Sequence, residues 1–367
     1  MKLFFYTLLY SLVACSSSVP SSKAKPIFTL KDFRKTVEID GKATVLPGVG
    51  RPVRLTLVPE KGVLMCFDAA IGSNKKWLHI YTLDSIKLIR SVINNGSAEG
   101  EMLGAFQLQY DNRNGGEIYI TDVLKQQIIV YKADSLIAGN ERPFKIIGKP
   151  FNGYHGLSIN EDRLMKSVII DKSYNIVDTR ASASNHSRML LNKYRSDLSV
   201  RDSFGLYPKT TDDIPPQMLS RVLDGCLGIS TDNKYLIFSG LTTDYLSVYD
   251  TSGKMIASAM GPGELDVSYK TEKAGNGERI IPSSGHNGYA GKAKINKGSI
   301  YVLYDGKDRK SRDEHASDLL QFTSRLNPEI RYKLNIPVFD FEIDWRTKRL
   351  YGLRMEGSTP QLVIFQL

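Results

Sequence analysis

The chain has 367 residues, of which 41% are hydrophobic and 24% are charged, with a formal net charge of +10. The basic residues are scattered apart from one cluster at Lys307–Arg312, which is typical of a solvated surface. A more specific interpretation of this excess of positive charge is that the protein binds anionic partners, such as lipid head groups or acidic glycans. The chain is expected to be exported and contains no nucleic-acid-binding motif, so nucleic acid is not an expected partner.

The first 15 residues predict an export signal. Lys2 supplies a positive start, the apolar run Leu3–Ala14 follows, and small residues come next. The run is too short to cross a bilayer. The sequence Leu12-Val13-Ala14-Cys15 resembles the bacterial lipobox, and this resemblance implies that Cys15 carries lipid and attaches the chain to the membrane. The alternative is an ordinary secretory signal in which Cys15 is incidental.

Residues 16–35 begin with the Ser-rich stretch Ser16–Lys25, which has no apolar period and predicts a flexible tether. Asp does not follow Cys15, and the tether has no acidic cluster. By resemblance to sorted lipoproteins, these features favour the periplasmic face of the outer membrane within the cell envelope.

Short strand patterns then recur along residues 36–367. The clearest group spans 106–147, where runs rich in Ile, Val, Tyr and Phe alternate with turn residues. Four such strands make one small sheet that needs neighbours to bury both faces. Six groups are predicted, with these strands: Val53–Val58, Gly62–Asp68, Leu78–Leu83 and Lys87–Ile93; Phe106–Tyr110, Glu117–Asp122, Gln127–Lys132 and Phe144–Ile147; Leu157–Asn160, Leu164–Asp171, Tyr174–Thr179 and Met189–Tyr194; Asp224–Ser230, Lys234–Ser239, Tyr245–Asp250 and Met255–Met260; Gly291–Asn296, Ser299–Asp305, Leu319–Phe322 and Ile330–Leu334; Phe339–Asp344, Arg349–Arg354 and Leu362–Leu367.

This repetition without amphipathic helices predicts an all-β, six-bladed β-propeller of four-stranded antiparallel blades. The last group is one strand short, and the isolated stretch Thr36–Leu46 is expected to complete it and to cover its edge. A β-sandwich of the same strands remains the alternative fold. Cys66 and Cys226 belong to opposite blades of such a ring, so both are expected to be buried free thiols.

A resemblance to a known family rests on three features. They are the lipobox, the junction Gly261-Pro262-Gly263-Glu264, and the pattern Gly-Glu-Ile-Tyr-Ile-Thr-Asp at 116–122 followed by Gln-Ile-Ile-Val-Tyr at 127–131. The chain resembles NHL-type propellers and, more specifically, the TolB-like six-bladed propeller lipoproteins of Bacteroidota. The resemblance implies a fold and an envelope location, and it implies no established chemistry. The protein is expected to be a monomer.

Two loop regions contain the predicted ligand-binding residues. Tyr154 and His155 precede a predicted innermost strand, while Arg279, His286 and Tyr289 lie in the long Gly-rich segment 261–290. Long loops in compact domains are often functional, and Tyr and Arg suit ligand contacts. The alternatives are an insertion without function and a His that only packs or forms structural hydrogen bonds.

Two functions from different classes remain open. The favoured one is a non-catalytic module that binds a glycan, peptide or protein partner through the channel face and needs no cofactor. The alternative is a metal-assisted hydrolase or lactonase. Lactonase-type six-bladed enzymes hold calcium in the channel, and Asp224, Asp340 and Glu342 lie on or beside predicted innermost strands. The enzyme requires several converging oxygen ligands, whereas the binding module requires aromatic and basic side chains. No catalytic residue is assigned, because the sequence contains no nucleophile elbow or phosphate-binding loop.

Overall fold

A computed structural model gives the structure of the protein. It describes residues 27–69, 76–113, 115–148, 168–178, 189–208, 223–263, 269–274, 277–282, 287–308 and 315–367. Within these ranges, no helix has both the length and the apolar character needed to span a bilayer.

Two N-terminal strands, β1 (Lys35–Ile39) and β2 (Gly41–Val45), precede the first blade. The strands of blades 1 to 3 are β3 (Pro52–Val58), β4 (Val63–Asp68), β5 (Lys76–Thr82) and β6 (Leu88–Asn94); β7 (Ala105–Asp111), β8 (Glu117–Asp122), β9 (Gln127–Lys132) and β10 (Lys145–Gly148); β11 (Val168–Ile169), β12 (Ile176–Asp178), β13 (Met189–Tyr194) and β14 (Val200–Leu206). A short helix, α1 (Ala133–Ala138), joins β9 to β10, and a 3-10 turn, Pro59–Lys61, joins β3 to β4.

The remaining strands form blades 4 to 6 and one hairpin. They are β15 (Gly225–Ile229), β16 (Tyr235–Gly240), β17 (Tyr245–Asp250) and β18 (Met255–Met260) in blade 4; β19 (Tyr269–Ala274) and β20 (Gly277–Pro282) in the hairpin; β21 (Tyr289–Asn296), β22 (Ser299–Tyr304), β23 (Ala316–Thr323) and β24 (Pro328–Val338) in blade 5; β25 (Asp340–Asp344), β26 (Arg349–Glu356) and β27 (Thr359–Gln366) in blade 6. The predicted six-bladed propeller is therefore confirmed, and the sandwich alternative is wrong.

Side-chain alternation places a hydrophobic layer on each face of a blade. In β8, Ile118 and Ile120 pack into the cluster shared with blade 1, while Tyr119 between them packs toward blade 3. All three residues are buried, because both faces of an inner blade strand are covered by neighbouring blades. Because both faces are covered, these strands read as nearly continuous apolar runs.

The N-terminal segment closes the ring in two steps. β2 pairs antiparallel with β27 and supplies the fourth strand of blade 6, which confirms the predicted closure. The predicted single stretch Thr36–Leu46 is divided, however, because β1 pairs in parallel with β24 and becomes a fifth strand of blade 5. The Asn335 side-chain oxygen accepts a hydrogen bond from Gly41 N–H at 2.8 Å, at the point where the segment passes from one blade to the next.

Blade 3 differs from its prediction by one strand. Met189–Tyr194 is the third strand rather than the outermost, and the fourth is β14, which was not predicted. β14 was missed because Val200, Arg201 and Asp202 are exposed on this edge strand, so its sequence lacks the apolar run of an inner strand. The stretch that was predicted to be innermost, Leu157–Asn160, lies outside the described residues.

Buried aspartates at the ends of second strands fix the loops that enter the innermost strands. The Asp122 carboxylate accepts hydrogen bonds from the N–H groups of Leu103 and Gly104. Asp68 does the same for Gly50 and Arg51. The repeated Asp therefore has a structural role at one end of the ring. Cys66 and Cys226 are both buried and free, as predicted.

Candidate functional site

A cavity of about 200 Å³ lies on the ring axis. All six innermost strands, β3, β7, β11, β15, β21 and β25, contribute to its wall. The lining residues lie mostly in the second halves of these strands and in the turns that follow them. Its wall includes Thr56, Glu60, Gln109, Tyr110, Asp111, Asn112, Val168, Gly228, Thr231, Asn233, Lys292, Lys294, Glu342 and Trp345.

Lys292 crosses the cavity from blade 5 to the opposite blade 2. Its side-chain Nζ donates a hydrogen bond to the Leu108 carbonyl at 3.1 Å, and the residue is only 8% exposed. Burial, and secondarily the nearby positive charges of Arg54 and Lys294, lower the pKa of Lys292 to about 7. Among the described residues, no carboxylate lies within ion-pair distance of its ammonium group.

The two acidic groups near Lys292 are paired with other cations. Lys294 Nζ donates to Glu342 Oε1 at 2.5 Å. Burial raises the pKa of Glu342 above its ordinary value, and the Lys294 charge opposes this rise. Arg54 Nη1 lies 3.7 Å from Asp340 Oδ1, while the other Asp340 oxygen accepts a hydrogen bond from Leu55 N–H at 2.8 Å. The wall carries two further carboxylates, Glu60 and Asp111, and Asp111 is paired with Arg113 at 2.6 Å.

Aromatic and polar groups surround the cavity mouth. The Tyr110 hydroxyl donates to Glu60 Oε2 at 3.1 Å, and Asn112 Nδ2 donates to the other Glu60 oxygen at 3.4 Å. Trp345 packs against Tyr301, with ring centroids 5.2 Å apart. These contacts hold large side chains from blades 1, 2 and 6 at the mouth.

Of the five predicted ligand-binding residues, only Tyr289 has a described side chain, and it is not among the residues that line this cavity. Tyr289 is the first residue of β21, at the opposite end of the ring, and it is 1% exposed. Its hydroxyl donates to the Asp244 carbonyl at 3.2 Å, and the ring packs in the hydrophobic cluster between blades 4 and 5. Arg279 lies in β20, and its side chain is outside the described residues. Tyr154, His155 and His286 also lie outside the described residues.

The predicted calcium ligands do not form one group. Asp340 and Glu342 share β25, but they are engaged by Arg54 and Lys294 as described above. Asp224 lies immediately before β15, where its side chain accepts a hydrogen bond from Gly225 N–H at 2.9 Å. Within the described ranges, no set of three or more His, Cys, Asp or Glu side chains is placed to hold a metal ion.

Sequence reasoning missed Arg54, Lys292 and Lys294. A signal was present, because two lysines separated by one residue, Lys292 and Lys294, interrupt an otherwise buried strand. Lysine is almost never fully buried unless it has a partner or a function. The identity of that partner depends on which strands meet at the axis.

The fold and the axial cavity define a six-bladed β-propeller whose central site is lined by polar side chains and by charged groups of both signs. The profile of the TolB-like 6-blade propeller-like family matches residues 42–341, and the chain belongs to this family. No curated protein sequence matches the chain.

Solved structures with similar folds have very different sequences. A member of the DUF4221 family from Bacteroides vulgatus is 7% identical, with a TM-score of 0.52, and the match covers 89% of this chain and 96% of that one. A luciferin-regenerating enzyme is 11% identical with a TM-score of 0.46, covering 89% and 95% of the two chains. A catalytically inactive virginiamycin B lyase from Staphylococcus aureus, with quinupristin, is 14% identical with a TM-score of 0.44, covering 90% and 99%. At these identities the likeness concerns the fold alone.

Proposed function

We propose that the protein is an envelope lipoprotein whose propeller is a non-catalytic binding module, with the axial cavity as its ligand site. The cavity wall carries the proposal, because it combines the basic side chains of Lys292 and Lys294 with the aromatic side chains of Tyr110 and Trp345. Aromatic faces and hydrogen-bonding groups are the usual contacts for glycans and for peptide side chains. The ligand is a glycan, a peptide or a segment of a protein partner.

The route of the N-terminal segment supports this arrangement. Phe28 N–H donates to the Met260 carbonyl at 3.0 Å, at the end of β18. Since strands alternate in direction across blade 4, this point lies at the end of the ring where the innermost strands begin. The cavity opens at the other end. A lipid on Cys15 would then attach the ring to the outer membrane while leaving the cavity mouth accessible.

Blocking the mouth tests the proposal. Asn112 is exposed and lines the cavity, so Asn112→Trp should fill the entrance without disturbing the core. The matched control is Asn327→Trp, which places the same side chain at an exposed turn before β24 on the blade rim. Both variants and the wild-type chain are applied to a panel of immobilised glycans and peptides.

We expect the wild type to bind at least one class of ligand, Asn112→Trp to lose about tenfold or more in affinity, and Asn327→Trp to bind normally. Binding that survives Asn112→Trp unchanged would place the site elsewhere. A wild-type chain that binds no member of the panel would contradict the proposed role.

A further inference from the structure

We infer that the axial cavity binds the carboxylate group of a small organic acid against Lys292. This inference rests on the proposed binding function and names the chemistry of the ligand. The Lys292 amine is buried in the cavity, among charged side chains from neighbouring blades.

Ion pairing distinguishes Lys292 from the other cations around the cavity. Arg54 and Lys294 lie within ion-pair distance of Asp340 and Glu342, and the Asp111 carboxylate of the wall is paired with Arg113. The Glu60 carboxylate accepts hydrogen bonds from Tyr110 and Asn112. Among the described residues, Lys292 has no carboxylate within ion-pair distance, and a buried charge of this kind is costly unless it is paired.

The carboxylates beside the cavity limit the charge that a ligand can carry. One anionic group compensates one ammonium group. A dianion would bring an additional negative charge close to Glu342 and Asp340, and like charges at this distance repel strongly in a poorly solvated site. A monovalent carboxylate thus fits the charge balance better than a phosphate dianion does.

The cavity offers a ligand both hydrogen-bond donors and sufficient volume. Only one hydrogen bond from Lys292 is made to a described residue, the bond to the Leu108 carbonyl, so the three-proton ammonium group can donate to a ligand. Thr56 also lines the cavity and offers a hydroxyl. The cavity of about 200 Å³ admits a small acid, or one acidic residue of a longer chain.

Binding should be linked to proton uptake. Among the described residues, the groups that act on the Lys292 charge are Arg54 on β3, Lys294 on β21, Asp340 and Glu342 on β25, and the Cys226 thiol on β15. The same cavity wall also includes Asp111 on β7 and Glu60 in the turn after β3. A bound carboxylate adds a negative charge to this set and favours the protonated amine. The affinity for the acid should therefore fall above neutral pH, by up to about tenfold per pH unit, as the free protein loses the Lys292 proton.

The experiment follows the titration of Lys292 by NMR in the intact chain labelled with 13C-lysine, with the resonance assigned by its loss in Lys292→Met. The probes are acetate, formate and glucuronate, compared with acetamide and glucose at matched ionic strength. We expect the acids to raise the Lys292 titration midpoint and the neutral analogues to leave it unchanged. Lys297→Met, which removes an exposed lysine from the turn after the same strand, should preserve this response.

The inference is overturned if none of the three acids shifts the Lys292 midpoint, or if acetamide shifts it as much as acetate does. Its failure is separable from that of the proposed function. A panel ligand that Asn112→Trp blocks but Lys292→Met leaves unaffected would keep the binding module and remove the carboxylate site. If the acids shift Lys292 and no panel ligand binds, the carboxylate site stands without the proposed glycan or peptide role.

Discussion

Ala43 in β2 lies opposite Val363 in β27, and this antiparallel register joins the two ends of the chain within blade 6. The N-terminal segment that contains β2 also carries Phe28 and Phe33, which are buried against Phe322 of blade 5 in edge-to-face contacts. The segment therefore closes the ring and covers a hydrophobic surface on the preceding blade.

Removing this segment should destabilise the entire ring. A chain that starts at Gly48 exposes the edge of β27 and loses the buried area of the two Phe side chains, worth about 1.5–3 kcal/mol for each. We expect a single thermal transition at a markedly lower temperature. The control chain starts at Ile27 and keeps β1, β2 and the Phe28 and Phe33 contacts with Phe322. A Gly48 chain that melts like the control would contradict closure by the N-terminal segment.

Asp122→Ala should weaken blade 2. The carboxylate accepts hydrogen bonds from four backbone N–H groups, those of Leu103, Gly104, Leu124 and Lys125. Loss of these bonds should lower the free energy of unfolding by about 3 kcal/mol, which urea denaturation would measure. The control, Asp134→Ala, removes an exposed carboxylate of α1 that pairs with Lys61 and should change stability by less than about 1 kcal/mol. Equal effects of the two substitutions would refute the structural role of Asp122.

Gly228→Ala should push two blades apart. A Cβ atom on Gly228 would overlap the Ala293 carbonyl oxygen, which is backbone and has little freedom to move. We expect a loss of about 1–3 kcal/mol in the free energy of unfolding. Thr231→Ala, at an exposed position shortly after the same strand, serves as the control. An unchanged unfolding midpoint in Gly228→Ala would show that β15 and β21 do not meet this closely.

Lys292 should make stability depend on pH. Its folded-state pKa of about 7 is below the unfolded value for lysine, about 10.4, so the unfolded chain binds more protons between these values. The stability cost of Lys292 is therefore complete below pH 7 and diminishes as pH rises above it, at up to about 1.4 kcal/mol per pH unit. Lys292→Met should be most stabilised relative to the wild type at or below neutral pH, with a difference that shrinks as the pH rises from 7 toward about 10.4. A difference that is independent of pH in urea denaturation would contradict this linkage.

Cys15→Ala tests the proposed lipid anchor. If Cys15 is lipidated, the wild-type chain should incorporate labelled palmitate and remain with the outer-membrane fraction, while the variant should do neither. Cys226→Ala leaves the signal unchanged and is the control for loss of a cysteine. A wild-type chain that is fully soluble in the periplasm and carries no acyl mass would exclude the anchor.

The sequence by itself determined the all-β class, the number of blades and the closure by both chain ends. It could do so because strand period and turn residues are local signals, repeated six times. Glu117–Asp122 and Gln127–Lys132 were placed at their observed bounds for this reason. The prediction was wrong by one strand in blade 3, where the edge strand Val200–Leu206 has an exposed, polar sequence.

Only the tertiary structure decided the candidate site. Lys292 and Leu108 are 184 positions apart and lie on opposite blades, so neither residue type nor local spacing indicates that they meet. Tyr289 suits a binding surface by its chemistry, yet the structure places it in the core. The reason is physical: period-2 alternation specifies which residues share a face of a blade, but the contents of the axis depend on how six separate innermost strands converge.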